Sequence, residues 1–380
     1  MRLPPFLART TLALGMALAG AAQAELPAEE LGQVTLPFPP EPHRAYVVDV
    51  EFENMIATRV TVIDPDNKRM LGMLSTGGMA PMVPSRDQKR LYTADTYWSR
   101  YVRGTRTDML TAWDSSTLSP LWEVEIPPKR ANSITERYAL TTSSDDRFVY
   151  IYNFTPSTSV TVVDVQARKA VNEIAISGCI LNYPVGARRF ASLCGDGSLQ
   201  VLTLDDNGKE VSRHQTPMFD PNQVKMVERA VAKGDTYYFT TTEGVVHPVD
   251  LSGDKPKFLP TWSLVSEDEK KAGWAPGGWQ MMALAPQLDR LYVLMHPDHQ
   301  PLMWEDPSTI VWVYDLKTRK KIGTLEAPGL MWSLHATSDA NPLLLGTTVT
   351  GDMEVFDLKS GKHTGTVEKV AKTPTLIQSH

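Results

Sequence analysis

The residues that could carry chemistry are few and scattered. Eight histidines lie at positions 43, 214, 247, 296, 299, 335, 363 and 380, and only His296-Pro-Asp-His299 brings two close together. That fragment could contribute to a zinc or copper site, or it could be solvated loop; the donor set is too small to assign a metal. The two cysteines, Cys179 and Cys194, are each other's only partners within the chain. Without a Cys-x-x-Cys they point to neither thiol redox chemistry nor zinc, and without Cys-x-x-Cys-His ordinary c-type haem attachment is excluded. They read as a structural disulfide, and closing a loop of that size would contribute about 3 kcal/mol. No Gly-x-Ser-x-Gly, His-Glu-x-x-His, P-loop or Rossmann fingerprint appears. From its residues alone the chain shows no catalytic group.

Such residues need a scaffold, and the N-terminus says where it is built. Arg2 and Arg9 precede the apolar run Thr11 to Ala22, and Ala22-Gln-Ala24 supplies a small-x-small cleavage pattern. Residues 1–24 therefore read as a removable export signal, too short in its apolar part to span a bilayer, and the expected location is the periplasm. Export permits the disulfide. The whole chain of 380 residues carries 38 basic and 44 acidic side chains, and losing Arg2 and Arg9 takes the net charge from −6 to −8. Nothing in that balance favours nucleic acid, and no later run is long enough to cross a membrane.

The remainder repeats. A short alternating strand ending in Asp recurs, clearest in Arg59-Val-Thr-Val-Ile-Asp64, Ser159-Val-Thr-Val-Val-Asp164, Ile310-Val-Trp-Val-Tyr-Asp315 and Asp352-Met-Glu-Val-Phe-Asp357, with weaker copies ending at Asp114, Asp205 and Asp250. Each follows another strand pattern, such as Arg147-Phe-Val-Tyr-Ile-Tyr152 or Arg290-Leu-Tyr-Val-Leu294. The aspartates are 50, 50, 41, 45, 65 and 42 residues apart, close to the length of a four-stranded propeller blade except once. A lone blade cannot bury both faces of its sheet, whereas a ring of them can. The expected fold is all-β, a seven-bladed β-propeller over 43–380; eight blades or paired sandwiches are the alternatives. The aspartates suit Asx-turns at strand ends, and metal ligation is the less favoured use.

Two segments stand outside the repeat. Residues 25–42, with five prolines, should form an extended arm. The long interval holds Ser266-Glu-Asp-Glu-Lys-Lys-Ala272 and then Gly273-Trp-Ala-Pro-Gly-Gly-Trp279, which predicts a capped short helix stopped by glycines near 265–279. Trp274 and Trp279 are expected to pack this insertion onto the next blade rather than to meet a ligand.

Several stretches resemble the heavy subunit of the bacterial quinoprotein amine dehydrogenases, the aromatic amine and methylamine dehydrogenase family. They are Tyr46-Val-Val-Asp-Val-Glu-Phe52, Arg100-Tyr-Val-Arg-Gly-Thr-Arg-Thr-Asp108, Ile126-Pro-Pro-Lys-Arg130, Cys194-Gly-Asp-Gly-Ser-Leu199, Lys257-Phe-Leu-Pro260, Gly273 to Trp279 and Met295-His-Pro-Asp298, in order from about residue 43 to the C-terminus. Ile-Pro-Pro-Lys-Arg and Met-His-Pro-Asp are more similar to the aromatic branch.

The resemblance implies a heterotetramer of two heavy and two light subunits. The cysteine-rich light subunit would carry tryptophan tryptophylquinone, and this chain, with two cysteines, would be the heavy one without a cofactor or metal of its own. A primary amine would leave as aldehyde and ammonia, with electrons passing to a blue copper protein of the azurin or amicyanin type. The family's disulfide corresponds to Cys179 and Cys194. A heavy-chain Phe that shapes the substrate passage corresponds to Phe52; in the methylamine branch it falls one position later, where this chain has Glu53. An acid there could attract an alkylammonium ion or simply be solvated. The competing readings are a non-catalytic periplasmic propeller that binds a protein or polymer, and a quinoprotein with a soluble quinone of its own.

Overall fold

The computed structural model describes residues 34–131, 133, 135–297 and 304–380. The chain divides into two compact units at Val34/Thr35. The expected export signal and residues 25–33 of the expected arm lie outside the described residues, as do Asp298 and His299. The second unit, Thr35–His380, is an all-β propeller.

Its building block is a hairpin, and every hairpin read from the repeat is present. Ala45–Asp49 pairs with Arg59–Asp64, Arg90–Arg100 with Arg103–Asp114, Phe148–Asn153 with Ser159–Asp164, and Arg189–Cys194 with Ser198–Leu204. Thr236–Thr241 pairs with Val245–Asp250, Arg290–His296 with Ser308–Asp315, and Leu343–Thr348 with Met353–Asp357. A third strand follows each Asp turn and a further strand lies inside. The inner strands left no alternation to read, because some, such as Met82–Pro84 and Leu140–Thr142, are only three residues long.

These strands form six hydrogen-bonded sheets among the described residues, one of them eight-stranded. The eight-stranded sheet is held together by Lys320–Ala336. Its first half pairs with Ser308–Asp315 and is mostly exposed; its second half pairs with Leu343–Thr348 and is mostly buried. One strand thus serves as the outer edge of one four-stranded group and the inner edge of the next. The first sheet closes differently: Pro374–Ser379 pairs with Ala45–Asp49, so the end of the chain completes the sheet that its beginning opens.

Burial follows position in the sheet. Phe148–Asn153 is buried at every residue, whereas the outer strand Glu210–Pro217 alternates between exposed and half-buried. Central strands are covered on both faces by neighbouring sheets, so both sets of side chains must be apolar or paired. Aromatic rings fill the gaps between sheets, as where Tyr150 meets Phe190 at 5.3 Å and Tyr183 meets Phe239 at 5.1 Å between ring centroids.

Strand direction defines two ends. At one lie the Asp turns, where Asp64, Asp114, Asp164, Asp205, Asp250, Asp315 and Asp357 each accept a backbone N–H two or three residues on, at 2.6–3.1 Å. Backbone N–H groups, from Lys209 and Thr318 foremost, hold the Asp205 and Asp315 carboxyls below their usual range. At the same end the turns entering the second strands are laced together. Asp146 accepts from the N–H of Arg86 and Asp87 at 2.9 and 2.8 Å, Ser144 donates to Gly186 at 3.0 Å, and Lys233 pairs with Asp289. His43 ties the first sheet to the last, reaching Asp66 at 2.8 Å and Asp339 at 3.2 Å.

Candidate functional site

The opposite end carries the loop that contains Phe52. After Ala45–Asp49 the backbone turns through Glu51, which adopts the left-handed conformation at φ 44°, into a short 3-10 turn over Phe52–Asn54. A non-glycine residue in that region is held there by its surroundings. Here they are explicit. The Asp49 carboxylate accepts from the N–H groups of Glu51 at 3.0 Å, Lys372 at 2.8 Å and Thr373 at 2.8 Å. The buried Glu51 carboxylate takes the Lys372 ammonium at 2.7 Å and faces Arg59 at 3.3 Å. The Lys372 hydrogen bond, with help from Arg59 against the cost of burial, holds Glu51 below the usual carboxylate range.

This anchoring presents Phe52 outward, with 41% of its surface exposed, beside the exposed Glu53, whose carboxylate lies 4.0 Å from the Lys372 ammonium. A cleft of about 520 Å³ opens next to it, lined by Phe52, Glu53, Met70, Met73 and Lys372 among others. Met55, Tyr101, Val102 and Phe154 are also exposed in loops at this end, and the Tyr101 hydroxyl reaches Asn54 at 3.3 Å. A phenyl ring has no proton to give or take, so the chemistry open to Phe52 is apolar contact and shape.

The other segments singled out in the sequence are structural. Cys179 and Cys194 stand directly opposite each other in antiparallel strands and form a disulfide of 2.02 Å. The fully buried Arg130 donates to the carbonyls of Met79 at 2.8 Å, Ala131 at 2.9 Å and Gly78, knitting two crossovers together. Arg106 holds Asp108 at 2.7 Å and also reaches the Arg130 carbonyl at 2.9 Å. The helix Glu267–Lys271 has a reciprocal cap between Ser266 and Glu269. Trp274 beyond it stacks on Trp312 of the following sheet at 5.0 Å, as packing of the insertion requires.

Trp279 goes further than packing the insertion. It donates its indole N–H to the Thr135 carbonyl at 3.1 Å and lies 3.6 Å from the Arg229 guanidinium, which also sits 4.6 Å from Trp304. Gly278, at φ 109°, lets the backbone approach; a Cβ there would meet the Trp332 carbonyl at 2.8 Å. Arg229 binds Glu136 at 2.9 Å and Glu305 at 3.0 Å. Burial pushes Glu136 up to about 7 although Arg229 opposes it. Inner strands and loops of several sheets thus converge on one plug, for which no local pattern in the sequence is a sign. His296 is buried in the same region. Among the described residues no group of three or more His, Cys, Asp or Glu side chains could hold a metal ion.

With the geometry in view, residues 41–380 match the methylamine dehydrogenase heavy chain family. The chain belongs to that family. Curated heavy-chain relatives include that of Methylobacillus flagellatus, 30% identical over 89% of this chain and 85% of the relative, and that of Methylorubrum extorquens, 28% identical over 96% and 90%. As a family member it is the large subunit of an amine dehydrogenase. Solved structures show that the heavy-chain fold is shared more widely. A putative 6-phosphogluconolactonase from Bacteroides fragilis superposes with a TM-score of 0.62 at 13% identity, covering 88% of this chain and 97% of its own. A dihydro-heme d1 dehydrogenase superposes at 0.53 and 15% identity, over 87% and 65%. At such identities the likeness concerns architecture, since a fold does not fix an activity.

Proposed function

We propose that this chain is the cofactor-free heavy subunit of a periplasmic dehydrogenase that converts primary amines to aldehyde and ammonia. The observation that carries the reading is heavy-chain family membership across almost the whole folded unit. In this reading the eight-stranded sheet is two blades fused through Lys320–Ala336, which brings the ring to seven blades. Tryptophan tryptophylquinone, held in the light subunit, supplies the electron acceptor for the amine, and a blue copper protein of azurin or amicyanin type receives the electrons.

The residues of this chain then bind and shape. Its neighbouring tryptophans Trp279 and Trp332 have both indole N–H groups committed to carbonyls, of Thr135 and Glu305, and serve packing. The end bearing Phe52, Met55, Tyr101 and Val102 faces the light subunit, where burial of exposed apolar side chains stabilises the contact. Phe52, held by the Asp49 and Glu51 anchors, forms one wall of the substrate passage and excludes water from it. Glu53, exposed beside it, draws the alkylammonium form of the substrate toward the mouth. The aromatic-branch likeness of Ile126 to Arg130 has a local cause in the Arg130 network, so it says little about the amine; Phe52 and its neighbours set that preference.

The test is reconstitution. The chain purified alone should be colourless and should reduce no dye with any amine, and co-expression with the light subunit and its maturation proteins should produce a quinone band and amine-dependent dye reduction. Activity from the isolated chain would overturn the division of labour, and a stable complex without activity would favour a binding propeller.

A further inference from the structure

The Phe52 loop has a second attachment, separate from the Asp49 and Glu51 anchors. It leaves the first sheet at Asp49 and returns at Arg59, and just before it returns Thr58 is completely buried. Every polar group of Thr58 is spent on one neighbouring segment. Its N–H donates to the Gly77 carbonyl at 3.1 Å, its carbonyl accepts from the N–H and the hydroxyl of Thr76 at 2.9 and 2.8 Å, and its hydroxyl oxygen accepts from the N–H of Ala80 at 3.1 Å. Residues 76–81 form the crossover that carries the chain from Arg69–Ser75, the outer strand of the first sheet, to Met82–Pro84, the inner strand of the second.

The crossover is itself fixed on its far side. Gly77 donates to the fully buried Asp95 carboxylate at 2.9 Å and Gly78 to the Thr96 carbonyl at 2.9 Å, both on the second sheet. From the next crossover Arg130 binds the Gly78 and Met79 carbonyls. Against this base the loop packs backbone to backbone. A Cβ on Gly78 would lie 3.1 Å from the Met55 carbonyl oxygen and 3.4 Å from the Cα and the carbonyl oxygen of Ile56. The first of these is tighter than an ordinary van der Waals contact, so the loop would have to give by a few tenths of an ångström. Gly78 lies outside the left-handed region, so it is the close approach and not the backbone conformation that calls for glycine.

We propose that Gly78 is a specificity-determining positioning residue: lacking a side chain, it lets the Met55–Ile56 backbone seat on the crossover and so fixes where Phe52 stands. The proposal rests on the reading of Phe52 as one wall of the amine passage. Displacement at Met55 is passed on to Phe52, because the two are joined by a single 3-10 turn in which Asn54 donates to Glu51 at 2.7 Å and Ala57 to Asn54 at 3.2 Å. A wall acts through its position, so moving it changes which amines fit and leaves the reaction they undergo the same.

The test is a double-mutant cycle in the reconstituted complex, read as the ratio of kcat/KM for an arylalkylamine against a short alkylamine. Gly78→Ala should shift that ratio about threefold or more while Phe52 is present, and not at all in the Phe52→Ala background, because the ring through which it acts is gone. General damage to the fold would lower both rates alike and leave the ratio unmoved. Gly323→Ala, at an exposed strand position where a Cβ meets nothing within 4 Å, should also leave it unmoved. In the purified full chain, amide exchange across residues 52–58 should be faster in Gly78→Ala and unchanged across Glu210–Pro217. Should Gly78→Ala fail to fold, Thr58→Val, which removes only the acceptor for Ala80, takes its place in both measurements. If Phe52→Ala moves the ratio and Gly78→Ala does not, this proposal falls and the passage reading stands. If neither moves it, the passage reading falls and the specificity role of Gly78 with it. A shift that persists in full without Phe52, or unchanged exchange across the loop, would equally overturn the proposal.

Discussion

The two ends of the propeller are built from the same hairpins and are finished in opposite ways. At the Asp-turn end each strand reversal is closed by its own carboxylate, and neighbouring turns are laced by Asp146, Lys233 and His43. At the other end the reversals have no common length, one sheet gains a helical insertion, and Phe52, Met55, Tyr101, Val102, Phe154 and Val349 stand exposed in loops. Beneath that apolar surface the support is buried and charged: Arg130, Asp108 and Glu51 fix the loops from below. Turns that satisfy themselves leave little apolar surface, whereas loops anchored underneath and apolar on top suit the light-subunit contact proposed for that end.

That contrast can be broken in order of effect. Arg130→Ala should be the most damaging change, because three backbone carbonyls and the buried carboxylates beside it lose their cation; about 3–5 kcal/mol should be lost from the unfolding free energy measured by denaturant titration. A loss under about 1 kcal/mol would mean that the loops are not held from below. Replacing Cys179 and Cys194 together by serine should cost about 3 kcal/mol and leave kcat of the reconstituted enzyme unchanged. Phe52→Ala should do the reverse. Being exposed, it should alter stability by no more than about 0.5 kcal/mol, while shifting the ratio of kcat/KM for an arylalkylamine against a short alkylamine by about 1–3 kcal/mol. An unchanged ratio would make Phe52 ordinary surface.

The smallest effect belongs to the laced end. Burial works against a charged His43, but Asp66 and Asp339 outweigh it and raise its pKa above 6.5. A folded value above the unfolded one means that its stabilisation is complete below pH 6.5 and is lost as pH rises through the folded value. Tm should therefore fall over that window in the wild type and stay flat in His43→Gln. A slope of the same size in both would place the titration elsewhere.

What the sequence disclosed was whatever a few neighbouring residues decide. Alternation marked the second and third strands, a terminal Asp marked each turn, and Ser266 with Glu269 marked the helix start, because those effects act over two to four residues. Inner strands such as Met82–Pro84 and Leu140–Thr142 escaped notice because three residues cannot display a period. Pro328-Gly329 is a local break signal, yet the strand remains paired on either side of it, since the neighbouring sheets decide. The plug was invisible for another reason: Glu136 and Arg229 are 93 residues apart, and each alone is indistinguishable from a surface charge. Phe52 came from resemblance, and no rule of periodicity would have chosen it over the chain's other phenylalanines.

The pairing of Pro374–Ser379 with Ala45–Asp49 also sets a timetable. Tyr46 finds its hydroxyl partner in His380, 334 residues downstream. Until that strand arrives, the first hairpin has an unpaired edge, and an unpaired edge is a template for any passing strand. The entropy of closing so long a loop rises only slowly with its length, so the delay is kinetic far more than thermodynamic. A chain built this way gains its full cooperativity only when its last segment is free to dock. It therefore gains from whatever shields the early hairpins meanwhile, and shortening it by those six residues would leave a ring that cannot shut.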